Sequence, residues 1–260
     1  MRFQFTPMVK NLLIINVAIF ALSFLFPIAN SILSLKDFSS EHFFPTQLIT
    51  CMFVHFGPMH LFGNMLSLYM FGTVLESYWG AKRFLLFYVV CGVGASLIYA
   101  GVHHYEIEKL KTIYYSYSEA PSYNDLSAFE KQYGHTLFTT EAKEMVEENP
   151  TSPQLVTEVK SAMEAYISTM IEGPMGGASG AVFGILMAFA VLFPNTELMM
   201  LFIPFPIKAK YFIIIYAFME LSLGVIKLPG DNIAHFAHLG GALFGFILVK
   251  YWQKQRNTFY

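Results

Sequence analysis

Charge is the first thing this chain has little of. Only 13% of its 260 residues are Asp, Glu, Lys or Arg, about half the share of a soluble domain, which argues against an ordinary water-exposed globule. Cysteine is scarce as well: Cys51 and Cys91 form no C-x-x-C pair and no disulfide framework. They read as free thiols, one near the outer surface and one within the third apolar segment. No metal-ligand spacing and no phosphate-binding glycine loop occurs, so neither a metal nor an organic cofactor is expected, and no nucleic-acid partner. The one N-x-T triplet, Asn149-Pro150-Thr151, carries the proline that forbids glycosylation.

What fills the chain instead is apolar: 55% hydrophobic residues and a mean hydropathy of +0.49. A bilayer core takes about 20 mainly apolar residues per helical crossing. Six stretches qualify, at about 11–29, 58–77, 83–102, 178–194, 209–227 and 232–252. The expected class is therefore an all-α polytopic membrane protein, a six-helix bundle with a partly helical insertion. Residues 1–102 carry the first three crossings, 103–173 the insertion, and 174–260 the last three. The stretch from Leu12 to Ala29 is longer than a usual signal core and lacks an A-x-A site before Asn30, so it reads as a retained crossing.

Six crossings put both termini on one side. Arg2, Lys10, Lys82, Arg83, Lys208, Lys210, Lys250, Lys254 and Arg256 fall there, opposed by Glu76 and Glu197, which makes that side cytoplasmic. Residues 103–173 hold twelve acidic and five basic residues, a net of minus seven on the extracytoplasmic face. The expected setting is a bacterial cytoplasmic membrane.

Within the insertion, Tyr and Glu are frequent and Pro121, Pro150 and Pro153 punctuate. A short helix is expected from Thr140 to Glu148, ended by Asn149-Pro150. A longer amphipathic one follows, with Ser152 as N-cap, Pro153 at the first position and an apolar stripe of Leu155, Val156, Val159, Met163, Tyr166, Ile167 and Met170. The segment is either a solvated cap or a lid or docking module over an active site.

Chemistry is suggested by polar groups inside apolar stretches, where they are costly and face the bundle interior. Gly176-Gly177-Ala178-Ser179-Gly180 opens the fourth stretch. Alone it reads as close helix packing, and it lacks the second glycine of a soluble nucleophile elbow, since Ala181 stands there. His60 and Asn64, four apart on one face of the second stretch, could tie helices together or donate hydrogen bonds to a developing oxyanion. In the sixth, Gly241 and Gly245 form a small-residue face that would let another helix approach closely. If that helix is the fourth, His238 reaches Ser179 and can take its proton. Asp231 is seven residues before His238 and Glu220 lies in another crossing, so a Ser179–His238 dyad is expected. Glu220 reads as a neutral, hydrogen-bonded packing residue with gating as the second reading, and His235 as a secondary group that holds water or orients substrate. His42 and His55 sit near the interface with no special role.

These residues resemble the rhomboid family of intramembrane serine proteases. His60-x-x-x-Asn64, Gly177-Ala178-Ser179-Gly180 and Ala237-His238-x-x-Gly241-x-x-x-Gly245 occur in the family's order, and Gln47-Leu48-Ile49-Thr50 with Phe53-Val54-His55 looks like the family's stretch before the second crossing. The resemblance implies Ser179 as nucleophile, His238 as general base and acid, and His60, Asn64 and the Ser179 N–H as oxyanion donors. It implies Gly177 in a strained segment before the serine, and peptide hydrolysis in or beside a transmembrane helix of a single-pass or other membrane protein. Two departures stand out: Phe183 where the family often has Tyr against the histidine, and Thr46 where Trp is frequent. The competing expectation is a catalytically inactive rhomboid-like scaffold that binds membrane proteins. A small transporter would show polar sites along a pathway and an internal repeat, and neither is seen.

Overall fold

A computed structural model describes residues 5–133, 137–200, 203–226 and 234–257. Arg2, Asp231 and Asn232 lie outside them, as does the side chain of Arg256. The chain is overwhelmingly helical, in the order α1 (Pro7–Leu25), α2 (Ile28–Leu33), α3 (Gln47–Thr50), α4 (Pro58–Ser67), α5 (Thr73–Trp79), α6 (Ala81–Glu119), α7 (Tyr123–Tyr133), α8 (Thr140–Glu148), α9 (Pro153–Glu172), α10 (Ser179–Leu192), α11 (Ala209–Ile226) and α12 (His235–Asn257). A π-helical turn, Leu68–Gly72, joins α4 to α5 into one rod. Between α10 and α11, β1 (Glu197–Met200) pairs antiparallel with β2 (Ile203–Lys208).

Three helices, α1, α6 and α11, are long and apolar enough to cross a membrane, and α10 is a shorter apolar helix. Their outward faces carry large apolar side chains in the open, among them Ile14, Phe24, Ile214 and Phe218. In water so broad an apolar surface would drive association; against lipid it has no cost. The inner faces close one core that runs from Val9 and Leu12 through Leu68, Phe84 and Phe87 to Ile185, Ile213 and Trp252.

The two poles of this bundle differ chemically. At one, Trp79 and Trp252 meet edge to face at 5.2 Å, the Arg83 guanidinium lies 4.1 Å over the Trp252 ring, and Tyr78 touches Phe193. Nearby, the buried Glu76 carboxylate accepts the N–H groups of Met8 (2.9 Å) and Val9 (2.8 Å) and the Thr6 hydroxyl. It caps α1 in place of the Thr6 side chain, satisfying donors that a helix start leaves open. Ser179 lies at the opposite pole, since it begins α10 while Phe193 follows its last residue.

The insertion departs from expectation first in how it begins. The third apolar helix was expected to end near residue 102, yet α6 continues to Glu119, 39 residues in all, about 58 Å at 1.5 Å per residue. Residues 103–119 contain neither Gly nor Pro, and Ile107, Leu110 and Tyr117 keep helical spacing until Ala120-Pro121 breaks it. These side chains, with Leu126 and Phe129 of α7, Val146 of α8 and Val159, Met163 and Ile167 of α9, form a second apolar core. The Thr140–Glu148 and Pro153–Glu172 helices fall where the sequence places them. Ser152 makes no capping hydrogen bond at α9, whereas Thr139 caps α8 by accepting the Ala142 N–H at 3.2 Å.

A loop clasp joins the two regions. Asp37 accepts from Ser39 and faces the His104 ring of α6 at 3.1 Å, Ser40 donates to Glu172 at 2.7 Å, and Lys36 reaches the end of α9. Burial opposes the Asp37 charge, but the hydrogen bonds from Ser39 and the His104 ring outweigh it and hold the carboxyl below its ordinary value.

Candidate active site

The segment before Ser179 is held by the loop that precedes α4. Leu35 and Met175 form an antiparallel bridge, the Gly177 N–H donates to Cys51 O at 2.9 Å, and a side chain on Gly176 would meet Val54 at 2.9 Å. That loop is itself fixed by the buried Gln47, which accepts from the Lys36 N–H and donates to the carbonyls of Ile32 and His42. Thr50 donates to Leu33 O. Gly177 has φ of +143°, backbone that favours glycine, and a Cβ there would lie 2.8 Å from His60 Nε2 and 3.5 Å from Ser179 Oγ. Only a glycine lets the chain turn between the imidazole and the serine.

Ser179 is the first residue of α10. The opening N–H groups of a helix have no partner within it, and the macrodipole adds partial positive charge there. α10 lies almost backbone to backbone against α12. A Cβ on Gly241 would stand 1.8 Å from Gly180 O, and one on Gly245 would stand 2.8 Å from the Gly184 Cα. This contact brings His238 to the serine, with Nε2 2.9 Å from Ser179 Oγ. Phe183, one turn along α10, stacks on the His238 ring at 4.2 Å and 6°.

His60 and Asn64 face the same cavity, a space of about 1150 Å³ that Ser179, Phe183, His235 and His238 also line. Asn64 is buried, and its Nδ2 has no hydrogen-bond partner among the described residues. A buried donor left open costs free energy, of order 1–3 kcal/mol. Asn64 is also among the residues that line the cavity, which makes it a candidate donor to a group bound there. His55, expected to need no role, is buried behind His60 with the two rings 5.0 Å apart. The cavity also extends past the bundle to Gln132, Tyr166 and Met170 of the insertion.

Glu220, expected to be hydrogen-bonded but with no partner named, is buried in α11, and its Oε2 accepts from His238 Nδ1 at 2.9 Å and from His235 Nδ1 at 2.6 Å. The expected dyad thus stands in line with an acid. An ionisable group at membrane depth faces the interior and has a partner there, which is the signal in the sequence that points Glu220 towards a histidine. The three residues present ligand atoms all within 4.8 Å of one another, so they are also the one set of described residues able to hold a metal ion. Their hydrogen bonds already satisfy these groups. Both cysteines are free and buried, with Cys51 Sγ 3.3 Å from Ser96 Oγ.

Comparison with known proteins follows the same residues. The sequence profile described as "Rhomboid domain" matches 44–108 and 154–254, well over half of the chain. Rhomboid protein 1, mitochondrial, of Saccharomyces cerevisiae is 35% identical over 91 residues, covering 34% of this chain and 26% of that protein. RHOMBOID-like protein 12, mitochondrial, of Arabidopsis thaliana is 27% identical over 236 residues, 90% of this chain and 54% of that protein. RHOMBOID-like protein 2 of the same plant is 42% identical over 52 residues, 20% of this chain and 16% of that protein. The chain thus aligns with about half, or less, of the length of each. These relatives are yeast and plant proteins, and they give the bacterial setting no support.

Proposed function

We propose that this chain, which belongs to the rhomboid family, is an intramembrane serine endopeptidase. The observation that carries this reading is the 2.9 Å approach of His238 Nε2 to Ser179 Oγ, beside a cavity large enough for a peptide segment. Ser179 Oγ attacks a carbonyl carbon of the substrate while its proton passes to His238 Nε2. The carbonyl oxygen becomes negative and takes hydrogen bonds from Asn64, His60 and the Ser179 N–H. As the C–N bond breaks, His238 returns the proton to the departing amine, and water then hydrolyses the acyl-serine by the same exchange in reverse.

Six crossings are part of the proposal: α1, the α4–α5 rod, α6, α10, α11 and α12. The positive ends face the cytoplasm and residues 103–173 face outwards, so water reaches Ser179 from the outer pole. The substrates are single-pass or other transmembrane proteins. Their carbonyls are engaged in helical hydrogen bonds, so cleavage favours a stretch that unwinds readily, near small or helix-breaking residues.

The test incubates detergent-purified protein with a generic transmembrane substrate beside Ser179→Ala. Cleavage by the wild type and none by the variant is expected. Equal cleavage by both would remove the serine assignment, and silence in both would favour a binding scaffold.

A further inference from the structure

We infer that Glu220 is a positioning residue for the base: it fixes the tautomer of His238 and balances the charge that the ring acquires, so that the pair works as a Ser179–His238–Glu220 relay. The inference rests on Ser179 and His238 being the reacting pair.

An ionised carboxylate has no proton to give. With Oε2 2.9 Å from His238 Nδ1, the hydrogen must sit on Nδ1, and Nε2 is left with a lone pair. That lone pair is what faces Ser179 Oγ at 2.9 Å. Without the acid the neutral ring could carry its proton on either nitrogen, and the tautomer protonated at Nε2 cannot accept from the serine. Once the ring has taken the serine proton it is a cation, and in a site shielded from water the adjacent carboxylate stabilises it.

Two further observations show a built arrangement. His235 Nδ1 donates to the same Oε2 at 2.6 Å, giving the buried anion a second donor and fixing the direction of its lone pairs. Gly224, one turn beyond Glu220, makes the approach of α12 possible: a Cβ there would stand 3.1 Å from His235 Cβ and 3.2 Å from Phe236 Cε2. Glu220 does not line the cavity, whereas His235 and His238 do. It therefore acts through the ring and not on the substrate.

The experiment compares wild type, Glu220→Gln and Glu220→Ala in detergent, with three readouts. The first is kcat and KM on the transmembrane substrate, the second the rate at which a fluorophosphonate labels Ser179, and the third the ¹⁵N spectrum of histidine-labelled protein. Glu220→Gln keeps the shape but offers an amide that can donate to Nδ1. It is expected to lower kcat roughly 10²–10⁴-fold, the scale seen when a triad acid is neutralised, with KM within about threefold. Fluorophosphonate labelling should slow in parallel, and the His238 resonances should move from the Nδ1–H form towards a mixture. A residue that only packs would give the opposite split, with lost thermal stability and unchanged turnover per folded molecule. Wild-type kcat in Glu220→Gln, or an Nε2–H tautomer of His238 in the wild-type spectrum, would overturn the inference. If Glu220→Ala fails to fold, the wild-type spectrum still decides. Cleavage abolished by Ser179→Ala but untouched by Glu220→Gln removes only the role of the acid. An unreactive Ser179 in the wild type removes the protease reading itself.

Discussion

The bundle and the insertion are held together by opposite means. In the bundle the closest contacts are made by glycine backbones: Gly180 against Gly241, Gly184 against Gly245, and Gly94 beneath the Phe244 ring. In the insertion they are between large side chains, Tyr117, Phe129, Leu110, Val159 and Met163 among them. The contrast is what the proposed placement, with the bundle in lipid and residues 103–173 in water, would require. Lipid tails are as apolar as leucine, so bringing two apolar faces together in a bilayer gains little, and association depends on close fit. Water rewards every apolar square ångström removed, at about 25 cal/mol, so bulky side chains do more outside the membrane. The chain changes its method of cohesion along one helix, α6, which contributes Ala95 and Gly94 to the first region and Ile107 and Leu110 to the second.

The sharpest way to break this comparison is to add one methyl group inside a close backbone contact of the bundle and one outside it. Gly241→Ala places a carbon where Gly180 O already lies, so α12 must shift away from α10 and carry His238 off Ser179. A drop in fluorophosphonate labelling of roughly 100-fold is expected, the scale of a 1 Å misplacement. Gly101→Ala on α6 meets nothing within 4 Å and should stabilise by about 0.5–1 kcal/mol through helix propensity. Unaltered labelling in Gly241→Ala would mean that the tight α10–α12 contact does not set the site geometry.

Next in size is the loss of a large side chain. Phe129→Ala should cost the insertion about 3–5 kcal/mol, read as faster amide exchange and protease nicking across 109–153, while Ser179 labelling falls less than in Gly241→Ala. Equal protection of the insertion in the variant would contradict a core held by side-chain burial.

The smallest effect concerns the clasp between the regions. Asp37 has a folded pKa below its unfolded value. Its contribution is therefore present above about pH 4, the ordinary carboxylate value, and is lost as pH falls through the folded value. The protection factor of the Ser39 amide, whose N–H donates to Asp37, should fall on acidification, and Asp37→Asn should remove that dependence. A Ser39 protection factor that stays constant below about pH 4 would show that the clasp does not rest on the carboxylate.

The sequence made the site legible where small residues and isolated polar groups interrupt apolar stretches. Ser179, His238 and the Gly241–Gly245 face could be singled out because polar and small residues coincide there within apolar stretches, whereas Phe183 was named only through the rhomboid resemblance. Glu220 was harder. α11 is apolar nearly all round, so nothing in its own stretch says which way residue 220 points, and its partners lie 15 and 18 residues on, across a connection that spacing does not describe. The β1–β2 hairpin was hidden by Pro204 and Pro206, which weaken any strand pattern. The length of α6 was hidden because a helix can change composition without changing period. Tyr and Glu replace Leu and Ala, yet Ile107, Leu110 and Tyr117 stay in step.

That unbroken α6 has a mechanical consequence. The 17 residues beyond position 102 form a lever arm of about 25 Å, with its fulcrum among the core helices and no hinge residue along its length. A tilt of 5° at the base would sweep the far end by about 2 Å, and any force on the far end would be felt at Gly94 and Ala95, against α12 and α10. The insertion is thus coupled through one continuous helix to the helices that carry the serine and the histidine.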